Sequence, residues 1–125
     1  MIKNKGNIFK RRIINNTKYS IYGIQSAFRN EEAFRIESFL AIVLIPLGLY
    51  LGQTYVEKIL LLISVMFVLV VELLNSAIEN VVDRFGEEKH ELSKNAKDQG
   101  SAAVSISLLI VILTWSLILI PSYII

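Results

Sequence analysis

Residues 102–120, AAVSISLLIVILTWSLILI, run for nineteen residues without a charge. At ~1.5 Å per residue a helix of that length rises about 28 Å, close to the roughly 30 Å of hydrocarbon in a bilayer. Two further apolar runs occupy roughly 36–52 and 56–82. A 125-residue soluble domain, 54% of it apolar, has too little interior to hide three such runs. The expectation is an all-α membrane protein, a single domain over 1–125. It has three transmembrane helices at 35–52, 56–82 and 100–120 plus an N-terminal amphipathic surface helix at about 8–28.

Charge sets the orientation. Eight of the thirteen Lys and Arg residues precede position 36, four lie between the second and third runs, and only Lys58 falls in the first connection. The positive-inside rule then places the N-terminus and the second connection in the cytoplasm, with residues 53–57 and the C-terminus outside. The expected location is the bacterial inner membrane, crossed several times. The first apolar run begins after some thirty-five mostly polar residues, which is unlike a secretory signal. The sequence contains no cysteine, so disulfides, thiolate metal sites and cysteine nucleophiles are excluded. Three spans enclose a polar site poorly within one subunit, and an oligomer is expected.

Residues 1–7 are polar and expected to be disordered. Between 8 and 28, Ile14, Thr17, Ile21, Ile24 and Phe28 recur at steps of three and four, beside Lys10, Arg11, Arg12 and Lys18. Such a helix lies along the cytoplasmic interface with its cations near anionic headgroups, and no nucleic-acid partner is needed to explain them. Pro46 and Gly48 in the first span are read as a tolerated kink. Trp115 and Tyr123 suit an outer interfacial position.

The second span carries the polar residues. Glu72, Asn75, Glu79 and Asp83 follow at helical spacing and share one face. Counting back from Val82, Glu72 lies about 15 Å inside the span and Glu79 about 5 Å inside. A carboxylate at the depth of Glu72 is costly in hydrocarbon and is usually found where it has a task. The other polar candidates, Glu31, Glu32, Arg35, Glu37 and the stretch Glu88–Asp98, belong to the same cytoplasmic side. A channel or pump would place polar groups across the whole depth. The one-sided pattern instead favours chemistry at the inner interface on a molecule arriving from the lipid.

Clustered carboxylates repel unless a cation joins them, and an oxygen-rich site suits Mg²⁺ that shares its ligands with substrate phosphates. Glu31 and Glu79 sit at a common depth for one ion, Lys97 and Arg12 can meet phosphate oxygens, and Glu72 suits a general base. Each has a plainer account. Glu79 can cap its helix or pair with Arg84, Glu72 and Asn75 can be interhelical glue, and His90 can be a solvated loop residue. Asp98 is expected in the first turn of the third span, where a carboxylate complements exposed backbone donors. No GxxxxGK[ST], HRD, DFG or HExxH motif occurs, so any nucleotide is bound without a P-loop or a soluble protein-kinase fold.

The tracts NEEAFRIE (30–37), VELLNSAIENVVDR (71–84) and KHELSKNAKDQGSAA (89–103) closely resemble the prokaryotic diacylglycerol kinase family, over about residues 9–120. The resemblance implies a homotrimer that moves the γ-phosphoryl group of Mg-ATP onto diacylglycerol, giving phosphatidic acid for phospholipid recycling. It makes Glu72 the general base and assigns Glu31 and Glu79 to the metal, contributed by neighbouring subunits. Nucleotide contacts fall to Arg12, Tyr19, Glu31, Glu79, Glu88, Lys89, His90, Lys97 and Asp98. Lipid contacts fall to Arg12, Phe28, Arg35, Glu72, Ser101 and Trp115, while Asn75 orients the site. Gln25 and Phe28 stand where the family's surface helix is expected to carry Arg and Trp. An undecaprenol kinase and a non-enzymatic membrane scaffold subunit are the alternative readings.

Overall fold

The computed structural model describes residues 5–125, which form α1 (Lys5–Asn30), α2 (Glu32–Leu51), α3 (Tyr55–Asp83) and α4 (Glu91–Tyr123). Of the segment expected to be disordered, residues 1–4 lie outside the described residues, and Lys5, Gly6 and Asn7 are the first residues of α1. No proline interrupts this stretch. The helices α2, α3 and α4, of 20, 29 and 33 residues, are long and apolar enough to cross a membrane. The protein is all-α and multi-pass.

α3 is the central element, packed along α4 and α2, and α1 packs on α2 and the later turns of α3. Few apolar side chains are buried by this packing: Ala27, Phe34, Ala41, Leu61, Val65 and Val68. Large side chains such as Phe39, Ile42, Ile59, Ile63, Phe67 and Leu117 are exposed, which in water would be strongly unfavourable and in lipid is not. Two of the three buried serine hydroxyls are satisfied within their own helices. Ser64 Oγ donates to Leu61 O at 2.9 Å and Ser107 Oγ to Val104 O at 2.7 Å.

One end of the bundle closes on residues 52–54. A capping box starts α3: Thr54 Oγ1 accepts from the Glu57 N–H at 3.2 Å, and Glu57 Oε2 accepts from the Thr54 N–H at 3.3 Å and the Gln53 N–H at 2.7 Å. The last carbonyls of α2 are taken by side chains, Leu51 O by the Tyr123 hydroxyl at 2.7 Å and Leu49 O by the Lys58 ammonium. A Cβ at Gly48 would press on Leu61 Cβ at 3.0 Å and the Trp115 ring at 3.3 Å, so the glycine lets α2, α3 and α4 approach closely. Trp115 is half-buried in that contact and donates Nε1–H to Leu61 O at 3.3 Å. It is a wedge between helices. α2 continues through Pro46 as one helix.

The opposite, polar end gathers the α1–α2 corner, the last turns of α3 and the first turns of α4. α3 ends at Asp83, and the chain turns through Gly86 at φ 82°, a left-handed conformation that favours glycine. α4 starts at Glu91, well ahead of its uncharged stretch, because His90 caps it: Nδ1 accepts from the Leu92 N–H at 3.1 Å. Glu91 therefore holds the first-turn acidic position expected of Asp98, which lies two turns further in.

Candidate active site

The polar end is built by helix periodicity. On α3, Glu72, Asn75 and Glu79 present one face, and Glu72 is only 4% exposed. Across from them α4 contributes Ser101, Val104 and Ser105, while the α1–α2 corner contributes Glu31 and Ala33. These residues line one cleft of about 320 Å³. A single chain thus brings together Glu31 and Glu79, which the resemblance assigned to neighbouring subunits.

Asn75 acquires partners that sequence alone did not supply. Its Nδ2 donates to Glu79 Oε1 at 3.4 Å, and its Oδ1 lies against Gly100, where any Cβ would overlap it. The glycine forms the notch that holds the amide. Asn75 Oδ1 is buried with no hydrogen-bond partner, and so is Glu37 Oε2. Glu37, one of the polar candidates on the cytoplasmic side but given no role there, lies beside Glu72. α2 starts at Glu32, three residues ahead of the expected first span, which puts Glu37 in its second helical turn.

A second cavity of about 460 Å³ lies beside the cleft, lined by Asp83, the connection through Glu88, Lys89 and His90, and Lys97. Lys97 meets Asp83 at 2.6 Å, and Lys94 meets Asp98 at 2.7 Å. All four residues precede the uncharged stretch of α4. There the Asp83 carboxylate, by hydrogen bond and by charge, holds the Lys97 ammonium pKa above its usual value, and Asp98 does the same for Lys94. Lys97 and Asp98 are adjacent in sequence yet bound to different partners. The Glu79–Arg84 pair is not among the ion pairs of the described residues.

Arg12 and Tyr19 are exposed on α1 and line neither cavity. Phe28 and Arg35 border a separate hollow with Gln25 and Arg29 at the α1–α2 corner, and Trp115 belongs to the other end of the bundle. Among the described residues, no three His, Asp or Glu side chains converge as a ready metal centre. The cleft's donors, the Glu31, Glu72 and Glu79 carboxylates and the Asn75 amide, are all oxygen ligands. Such a set fits a hard divalent ion that takes its remaining ligands from water and phosphate.

The model of the prokaryotic diacylglycerol kinase family matches residues 18–119, most of the chain. The chain belongs to the prokaryotic diacylglycerol kinase family. It is 60% identical over 107 residues to a protein of Haemophilus influenzae named diacylglycerol kinase, covering 86% of this chain and 91% of that one. Its identity to the protein of the same name from Pseudomonas aeruginosa is 48% over 115 residues, with 92% and 94% covered. For the Escherichia coli protein so named the figure is 46% over 108 residues, with 86% and 88% covered. With three membrane-length helices and bacterial relatives, this is a multi-pass protein of the bacterial inner membrane.

Proposed function

We propose that this chain transfers the γ-phosphoryl group of ATP to the free hydroxyl of diacylglycerol, producing phosphatidic acid and ADP at the cytoplasmic face. The observation that carries the reading is the single cleft holding Glu31, Glu72, Asn75, Glu79 and Ser101. It adjoins a charged cavity on the water side and a helix bundle with a lipid-exposed surface. A lipid hydroxyl and a triphosphate can each reach that place from its own phase.

In this reading Glu72 accepts the hydroxyl proton as the lipid oxygen forms its bond to phosphorus and the bond to the ADP oxygen breaks. Its burial keeps water from competing as acceptor. Glu31 and Glu79 would hold Mg²⁺, which when bound neutralises charge on the phosphates. Asn75 orients Glu79 through the Nδ2–H bond. The connection Glu88–His90 and Lys97 would receive the nucleotide, with Asp98 held alongside by Lys94. Arg12 and Tyr19 on α1 would close over it, and Phe28, Ser101 and Trp115 would contact lipid along the bundle. The unit is a homotrimer with its N-terminus in the cytoplasm, and the sparse core of one subunit supports assembly. Phosphoryl transfer asks mainly for positioning and charge neutralisation, which is what a rigid carboxylate cleft can give.

Purified protein in mixed micelles with Mg²⁺, γ-labelled ATP and dioleoylglycerol is expected to yield labelled phosphatidic acid. Label on undecaprenol instead would replace the acceptor, and label on neither lipid would remove the kinase reading.

A further inference from the structure

We infer that Arg35 is a positioning residue whose guanidinium staples the end of α1 to the start of α2 and so aims the Glu31 carboxylate into the cleft. This rests on the reading of Glu31 as a ligand of the metal–nucleotide complex. The corner between the two helices is a single residue. α1 ends at Asn30 and α2 starts at Glu32, leaving Glu31 alone in an extended conformation at φ −115° and ψ 111°. Rotation about that residue sets the angle between the helices and the direction of its own side chain.

A helix end leaves its last carbonyls without intrahelical donors. At this corner the Glu31 N–H reaches Ala27 O at 2.8 Å, and Arg35 Nη1 reaches both of the next two carbonyls, Phe28 O at 3.1 Å and Arg29 O at 2.9 Å. One nitrogen of α2 thus ties two carbonyls of α1, and its positive charge sits at the negative end of the α1 dipole. The Phe28 and Phe39 rings brace the same corner edge to face, with centroids 5.7 Å apart. Arg35 takes part in neither of the ion pairs among the described residues. Its contacts here are to backbone.

Glu31 occupies the N-cap position of α2, where a side chain ordinarily accepts from the exposed amides. It makes no such bond. Glu31 lines the cleft with Glu72 and Glu79 and borders the hollow between α1 and α3 on its other side. Arg35 ties the end of α1 to α2, while Glu31 leaves the first amides of α2 uncapped and stays available to a ligand.

The test compares wild type with Arg35→Ala, Arg35→Lys and Glu31→Gln in the intact protein. Amide hydrogen exchange over residues 24–31 is measured first, then Mn²⁺ binding by electron paramagnetic resonance in the presence of a non-hydrolysable ATP analogue. Arg35→Ala is expected to speed exchange in the last turn of α1 and to weaken Mn²⁺ binding on the order of tenfold. Arg35→Lys keeps charge and donors and should recover most of both effects. It also carries the comparison if the alanine variant does not assemble. Unchanged exchange would overturn the staple. Faster exchange with wild-type Mn²⁺ binding, or a raised lipid KM alone, would overturn the positioning role. If Glu31→Gln binds Mn²⁺ as wild type does, the metal reading of Glu31 is what fails. If it binds weakly while the Arg35 variants bind normally, only the inference about Arg35 fails.

Discussion

At the end of the bundle closed by residues 52–54, side chains answer backbone: Thr54 and Glu57 cap α3, while Tyr123, Lys58 and Trp115 donate to carbonyls of α2 and α3. At the other end two buried acceptors, Glu37 Oε2 and Asn75 Oδ1, have no partner, and Glu72 is buried beside Glu37. A buried polar group left without a partner costs about 1–3 kcal/mol. The same chain satisfies its polar atoms at one end and leaves acceptors waiting at the other. The first pattern is that of stability, and the second that of a site completed by its ligands.

The strongest way to break this contrast is Glu72→Gln. The amide keeps the size of the side chain and can still hydrogen-bond, but it cannot take a proton from a lipid hydroxyl. Turnover is expected to fall by about 10²-fold or more while the oligomer seen on size-exclusion chromatography is unchanged. Near-normal turnover in labelled-phosphate assays would mean that the buried acid is structural, as the tightly bonded opposite end already is.

A smaller effect is expected at Gly100. Adding only a Cβ, as in Gly100→Ala, places carbon on Asn75 Oδ1 and forces the amide out of the position from which it donates to Glu79. Overpacking of this kind costs about 1–3 kcal/mol. Turnover should fall roughly tenfold and the Mg²⁺ concentration for half-maximal rate should rise. If stability falls while the Mg²⁺ dependence stays fixed, the notch serves packing alone.

These residues also mark where sequence reading stopped. The three membrane-length helices were legible because uninterrupted apolar length is a one-dimensional signal, and so was the shared face of Glu72, Asn75 and Glu79, which follows from helix pitch. The start of α4 was not legible from the uncharged run, because the helix is set by the His90 cap and continues as a polar rod before the apolar stretch begins. Lys97 and Asp98 read as a pair because they are neighbours in sequence. In a helix adjacent residues diverge by about 100°, so Lys97 meets Asp83 across the connection while Asp98 meets Lys94 one turn back. Trp115 carried the marks of an interfacial anchor, and only the approach of Gly48 shows it wedged between helices. Glu37 was visible as a charge, but its place beside Glu72 depends on how α2 packs on α3, which no spacing rule gives.

The smallest predicted effect belongs to the closed end. Thr54 is exposed, lies far from the cleft, and contributes one hydroxyl to the N–H of Glu57. Replacing it with alanine removes half of a capping box, a loss of about 1 kcal/mol. Glu57 retains its own bonds to the Gln53 and Thr54 amides, which limits the damage to the first turn of α3. Thr54→Ala should therefore lower resistance to unfolding in an SDS titration by about that amount, with turnover and Mg²⁺ dependence unchanged. Counting along α3 from Thr54 to Glu72, the cap lies about 27 Å from the proposed base, so a cap defect reaches the cleft only if the helix moves as a rod. A drop in turnover without loss of stability would show that the two ends are mechanically coupled through α3. In that case the closed end would be part of the machinery that aims Glu72, and the division between a stabilising end and a reacting end would no longer hold.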